Sequence, residues 1–207
     1  MLNNFFDAIY CINLDRRPDK WEESVDELKK WGIEGFERFS AYDGQEIQRI
    51  NNHTSSSEQG LVLSNIDILK DAIGKGHKSI LVLEDDFVFT PDFSKIQDLL
   101  KDVPEDWDLL YFGGNHNGHK GIIPPEKITD NLVKVHYTFA THAVGINSKF
   151  FDSFLNKISS FSSALDVMLT ELQKSHNAYC FSPSIAKQRP GYSDIQGRSV
   201  DYNVWIK

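Results

Sequence analysis

Residues 79–89 read SILVLEDDFVF, the most apolar run of the chain broken by three consecutive carboxylates. The segment SILVL predicts a strand, and it is one of a series. Apolar runs of strand length alternate with segments of helical period, which is the pattern of an α/β fold with a mixed, mostly parallel sheet and crossover helices on its faces. DAIYCINL predicts the first strand. Pro18 and Asp19 open a helix that carries Trp21, Val25, Leu28 and Trp31 on one face and stops by Gly32. FERFSAYDG reads as a short strand and a turn. The next helix presents Val62, Ile66, Leu69 and Ile73 on one face, is capped by the serines at 55–57, and ends at Gly74 and Gly76. PDFSKIQDLLKDV predicts another helix, and DWDLLYFGG, NLVKVHY and THAVGIN predict strands. SKFFDSFLNKI and SSALDVMLTELQKS predict two late helices, each with a serine placed to cap it. No internal repeat or low-complexity tract divides the series.

Composition sets the scale. A chain of 207 residues with 40% hydrophobic and 12% aromatic content suits one well-packed domain, 1–207, and is short for two. A formal charge of −8 and a sequence pI near 5.3 argue against nucleic acid as the main partner, since phosphate-backbone binding needs a basic footprint. The N-terminal stretch has no basic region ahead of its apolar residues, and the chain has no apolar run of about 18 residues, so neither a signal peptide nor a membrane span is predicted and the expected location is cytoplasmic. Cys11 and Cys180 are too few and too far apart for a disulfide framework and are expected as packed free thiols in a reducing compartment.

The acidic triplet falls at the carboxyl end of its strand, where α/β sheets bind ligands. In an extended segment Glu84 and Asp86 project to one side and Asp85 to the other, so two carboxylates can converge on one ligand atom. Like charges held together repel unless a cation or proton lies between them. A solvated strand end is the plain alternative. The apolar flanks on both sides favour a hard divalent cation, Mn²⁺ or Mg²⁺, held by Asp86 and Glu84. No G-x-G-x-x-G and no G-x-x-x-x-G-K-[ST] follows a predicted strand, so a nucleoside diphosphate would need its charge met by metal and side-chain cations. Strand-end carboxylates in a nucleotide-type fold without a glycine loop suit a GT-A-type glycosyltransferase. Gly113 and Gly114 end a predicted strand, where a ligand can approach the backbone or a plain turn can form. His116, His119 and His136 make no recognised zinc spacing and read as loop or core histidines. Lys187, Arg189 and Arg198 are a late cationic cluster able to fold over a diphosphate or to stay solvated.

The pieces IYCINLDRRPDKW, FSAYDG, SEQGLVLSNIDILKDAIGKGHKSILVLEDDFVF, LLYFGG, THAVGINSKFF, ALDVML and SPSIAKQRPGYSDIQG, in that order, resemble glycosyltransferase family 25, the lipooligosaccharide and procollagen galactosyltransferases. The resemblance implies an inverting transfer of a sugar, most often galactose, from a UDP-sugar to a hydroxyl of a glycan or a hydroxylated protein, on a GT-A domain using Mn²⁺ or Mg²⁺. It implies Asn13, Leu14, Asp15 and Arg17 around the nucleotide, and Ala41 and Asp43 beside the base. It also implies Glu84 or Asp85 at the ribose and metal waters, Asp86 on the metal, and His142 near the sugar. The family usually has Gly-Cys and then a Leu-Ser-His type of helix start; here Val62 and Asn65 stand at those places.

An inverting transfer needs a second carboxylate, away from the leaving group, to take the acceptor's proton. Asp166 fits, in the first turns of a predicted helix and at the place where the family has an acidic residue facing the acceptor; its plain reading is a helix first-turn carboxylate. Asp194 is the rival, with Arg189 and Arg198 as expected neighbours that suit a diphosphate-side or loop-ordering role. Two other classes stay open: a non-catalytic nucleotide-sugar or glycan-binding relict, marked by Asn65, and a metal-dependent phosphohydrolase.

Overall fold

The computed structural model describes residues 2–116 and 123–202, so His119 lies outside the described residues. In chain order the elements are β1 (Ala8–Asn13), α1 (Pro18–Lys30), β2 (Phe36–Ser40), α2 (Ser56–Lys75), β3 (Ser79–Glu84), β4 (Phe87–Phe89), α3 (Ile96–Leu99), β5 (Leu109–Tyr111) and β6 (Glu126–Lys127). They continue as β7 (Leu132–Lys134), β8 (Ala143–Asn147), α4 (Phe151–Ile158), α5 (Leu165–Gln173), β9 (Ala178–Phe181), β10 (Ala186–Gln188), β11 (Gly191–Ser193) and β12 (Arg198–Val200). Eight strands form one mixed sheet in the order β2-β1-β3-β8-β5-β9-β7-β6. β1 is parallel to β2 and β3, and β5 to β9, while β8 runs antiparallel between β3 and β5. The α/β class predicted from the sequence is the one observed.

Alternation along the strands divides the core. Tyr10, Ile12, Ile80 and Val82 pack on the face covered by α2, α4 and α5, and Ile9, Cys11, Leu81 and Leu83 pack on the other with Leu28 of α1, Phe87 and Phe89 of β4 and Ile96 of α3. α1 is fastened by a buried acid: Glu27 accepts from Trp31 Nε1 at 2.8 Å and from the Phe89 amide at 3.0 Å, which ties the helix to β4. Both cysteines are buried and unbridged, as expected of packed thiols. No helix among the described residues is long and apolar enough to cross a membrane.

The start of α2 is a reciprocal cap. Ser55 Oγ accepts from the Glu58 amide at 3.2 Å while Glu58 Oε2 accepts from the Ser55 amide at 2.8 Å. Ser55→Ala should lower stability by about 0.5–2 kcal/mol in urea unfolding with an unchanged m-value. The far end stops at Gly76, whose φ of 71° is the left-handed region that glycine enters freely.

Three local expectations are corrected, and one stretch carries strands that none of them covered. Ile73 is 45% exposed and stands off the core. The helix expected over PDFSKIQDLLKDV is one short α segment between 3₁₀ turns at Pro91–Lys95 and Leu100–Asp102. Its buried residues Phe93, Ile96 and Leu99 recur every third position, the repeat a 3₁₀ turn buries. The late serines cap neither helix: α4 grows out of a 3₁₀ turn whose Lys149 amide donates to Asn147 Oδ1, and α5 starts from Ala164 without a side-chain cap. The chain after β9 forms β10 against β4 and a hairpin of β11 with β12, none of which periodicity announced.

Candidate active site

β1 and β3 are parallel neighbours, with Ile12 opposite Glu84, so their carboxyl ends open side by side. The exits of β1, β2 and β3, the first turns of α2 and α5, and the β11–β12 turn surround a cavity of about 420 Å³ at that edge. It brings together Asn13, Leu14, Ala41, Asp43, Glu84, Asp85, Asp86, Asp166 and Asp194 from the sequence-derived candidates.

The triplet is not extended. β3 ends at Glu84, and Asp85 and Asp86 form a turn into β4. All three carboxylates therefore line the cavity, rather than two facing one side and one the other. Glu84 Oε1 accepts from Thr141 Oγ1 at 2.5 Å, and its amide donates to the His142 carbonyl at 3.0 Å. Asp85 Oδ2 accepts from Asn13 Nδ2 at 2.7 Å, and Asp85 Oδ1 lies 3.5 Å from Lys20 Nζ. Asp86 Oδ2 accepts from Gln188 Nε2 at 3.2 Å, while Oδ1 is buried without a partner among the described residues. Burial, then the charge of Asp86, pushes Glu84 up to about 8, with Asp85 and Asp166 adding. Burial also raises Asp85 and Asp86, against the opposing charge of Lys20.

Asp166 stands in the first turn of α5 on the same cavity. Its Oδ1 accepts from the Val167 amide at 2.8 Å and its Oδ2 from the Ala140 amide at 3.5 Å. Burial raises its pKa. Ala140, also on the wall, has a φ of 76°, an unfavourable backbone for a residue with a Cβ and one that collects at functional sites.

Asp194 is held differently, and by other partners than expected. Its carboxylate accepts from Arg16 Nη1 at 2.6 Å and from Arg17 Nη1, with Lys20 Nζ at 3.4 Å; Arg189 instead pairs with Glu23. Burial works to raise its pKa, but these cations hold it below the usual carboxylate value.

Other expectations meet the structure as follows. Asp15 is 71% exposed and pairs with Arg38 and Ser40, off the cavity. Arg17 and Arg189 border a smaller neighbouring cavity of about 180 Å³. His142 is fully buried, outside the lining, and burial depresses it to about 4. Gly113 and Gly114 admit protein, not ligand: a Cβ at Gly113 would strike the Ala186 carbonyl, and one at Gly114 the Thr138 methyl. Asn13 lies at the site, yet its amide donates to Asp85 and to the Arg17 carbonyl at 2.9 Å and accepts twice from Arg38, so it positions Asp85 with its side chain fully engaged. Lysine 20, Thr141, Ala140 and Tyr202 are wall or partner residues that sequence reasoning missed. Lys20 alone left a signal, four residues after Arg16 on the helix the arginines introduce.

By fold and site the chain is an α/β protein with an acidic ligand cavity at the carboxyl ends of its strands. It belongs to glycosyltransferase family 25: the model described as Glycosyltransferase family 25 (LPS biosynthesis protein) matches residues 6–188. Procollagen galactosyltransferase 2 of Mus musculus is 29% identical over 173 residues, 69% of this chain and 26% of that protein. A glycosyltransferase 25 family member of Drosophila melanogaster is 30% identical over 157 residues, 65% and 25% of the two chains. The human protein named inactive glycosyltransferase 25 family member 3 is 28% identical over 168 residues, 68% and 27% of the two chains. The chain thus spans about a quarter of the length of these relatives. A solved glycosyltransferase involved in the glycosylation of the major capsid of PBCV-1 superposes with a TM-score of 0.43 at 10% identity, over 73% of this chain and 65% of that one.

Proposed function

We propose that the chain is a metal-dependent inverting glycosyltransferase that moves a hexose, galactose first, from a UDP-sugar to a hydroxyl of a glycan or hydroxylated protein. The observation that carries this reading is one cavity holding the strand-end triplet, the cations Arg16 and Lys20, and a separate carboxylate, Asp166. Family membership and a relative named procollagen galactosyltransferase support it.

In the reaction the acceptor oxygen bonds to the anomeric carbon as the bond from that carbon to the UDP oxygen breaks, and the acceptor's proton passes to a carboxylate. Asp166 takes that proton. Two backbone N–H groups fix its orientation, and burial makes it more basic than a solvated aspartate. Asp194, spread over three cations, is a poor base by the same reasoning.

One or two carboxylates of the triplet would hold a hard divalent cation only with substrate phosphates supplying further ligands. No group of three His, Cys, Asp or Glu arranged to hold a metal occurs among the described residues. Asp86, with its unpartnered Oδ1, is the residue to hold the ion, and Glu84, already engaged by Thr141, the second. When bound, the ion supplies positive charge against the departing UDP. Asn65, which motivated the relict reading, is buried in α2, donates to the Leu61 carbonyl at 2.9 Å, and does not line the cavity. Its departure from the family pattern leaves the walls intact.

A panel of UDP-sugars assayed for UDP release tests the reading. UDP-galactose should turn over fastest, with UDP-glucose and UDP-N-acetylglucosamine behind. No release from any of them, with UDP still bound, would return the relict reading.

A further inference from the structure

Each of three cations at the entry to α1 has a carboxylate of its own. Arg16 Nε lies 2.5 Å from Asp43 Oδ2, Arg17 Nη2 lies 2.6 Å from Asp19 Oδ2, and Lys20 Nζ lies 3.5 Å from Asp85 Oδ1. Asp194 is the acceptor all three share, and its side chain is 10% exposed. Four carboxylates thus face three cations, and Asp194 is the one whose departure would still leave every cation a partner; arginine forks match phosphate oxygens as well as carboxylate ones.

The element that delivers Asp194 is weakly built into the fold. β11 and β12 pair with each other in a separate two-stranded sheet, outside the ladder of the eight-stranded one. Their tip, with Asp194, Ile195 and Gln196, walls the 420 Å³ cavity, and their base borders the 180 Å³ one. The two cavities share Lys20, Asp85, Asp86 and Ser193. The hairpin is thus the partition between them, and raising it joins both into one space beside the triplet. Outside that ladder, the hairpin tip is held to the body through the ion pairs of Asp194, so an anion that takes over those cations frees the segment to open locally.

We propose that Arg16, Arg17 and Lys20 form the subsite for a diphosphate, and that Asp194 fills it as an internal anion until an incoming diphosphate displaces it and lifts the β11–β12 hairpin. That the diphosphate belongs to a nucleotide-sugar rests on the function proposed above; the exchange of one anion for another does not. The chain has no glycine loop to cradle phosphate, and this arrangement supplies the missing donors while keeping them neutralised in the free protein.

Inorganic pyrophosphate, titrated calorimetrically in chelator, is the probe. Asp194→Asn should bind it about tenfold more tightly than the parent, because the competing carboxylate is gone and the open state no longer has to be selected from a closed majority. In the parent, saturating pyrophosphate should speed amide hydrogen exchange over residues 191–200. Equal or weaker pyrophosphate binding by a folded Asp194→Asn protein overturns the proposal and makes Asp194 a permanent organiser of the cations. Slower exchange over 191–200 on adding pyrophosphate also overturns it, since the hairpin would then close on the anion. Should the variant not fold, the exchange measurement on the parent decides. Pyrophosphate carries neither base nor sugar, so these outcomes are independent of whether any UDP-sugar is turned over.

Discussion

Asp166→Asn is expected to lower sugar transfer by about 10²–10⁴-fold, the usual contribution of a positioned general base, while UDP binds within about twofold of the parent affinity. The asparagine preserves the shape of the α5 first turn and still accepts one of the two backbone N–H groups now on the carboxylate, but it cannot take a proton. The pH profile supplies a second check. A base works only when ionised, and burial raises Asp166, so the acidic limb of the rate should fall at a higher pH than an ordinary aspartate gives. In the variant that limb should disappear along with the rate. Transfer by Asp166→Asn within about tenfold of the parent would remove Asp166 from the role.

Asp86→Asn should have two effects of opposite sign. Without metal, the substitution takes one charge out of a walled-in cluster in which Asp86 raises the pKa of Glu84 and Asp85, so the melting temperature should rise by about 2–4 °C, the equivalent of about 1 kcal/mol in a chain of this size. With Mn²⁺, the parent should gain both stability and UDP affinity, and the variant should lose most of that gain, its UDP affinity falling to the value measured in chelator. Thermal melts with and without Mn²⁺, paired with calorimetric UDP titration, read both effects. Equal UDP affinity of the parent in Mn²⁺ and in chelator would end the metal role. A lower melting temperature for the metal-free variant would instead make the contact with Gln188 structural.

What the sequence discloses here follows from range. β1, α2 and β3 are legible because their signals are local: an apolar run, a face repeating by threes and fours, a serine three residues before a glutamate. The triplet is legible as a strand end, though not as a turn, because nothing in EDDFVF marks where pairing with β1 and β8 stops and pairing of β4 with β10 begins. The cationic nest is illegible for the opposite reason. Arg16 and Asp194 meet across 178 positions of sequence, and that contact exists only once a hairpin with no hydrophobic alternation has folded back over the cavity. Gly113 and Gly114 read as room for a ligand or as a plain turn because a strand end looks the same whether ligand, solvent or protein lies beside it; here protein does, the Ala186 carbonyl of β10 at Gly113 and the Thr138 methyl at Gly114.

The two packed thiols make the protein a blank background for labelling chemistry. Burial pushes both Cys11 and Cys180 up to about 12, and neither side chain reaches solvent, so at neutral pH thiol reagents find almost no thiolate to attack. A single cysteine introduced at Gln196, exposed at the hairpin tip, would then be the one reactive sulfur on the molecule's described surface. A fluorophore or spin label carried there would report hairpin position in the wild-type cysteine context, without first stripping two buried residues from strands β1 and β9.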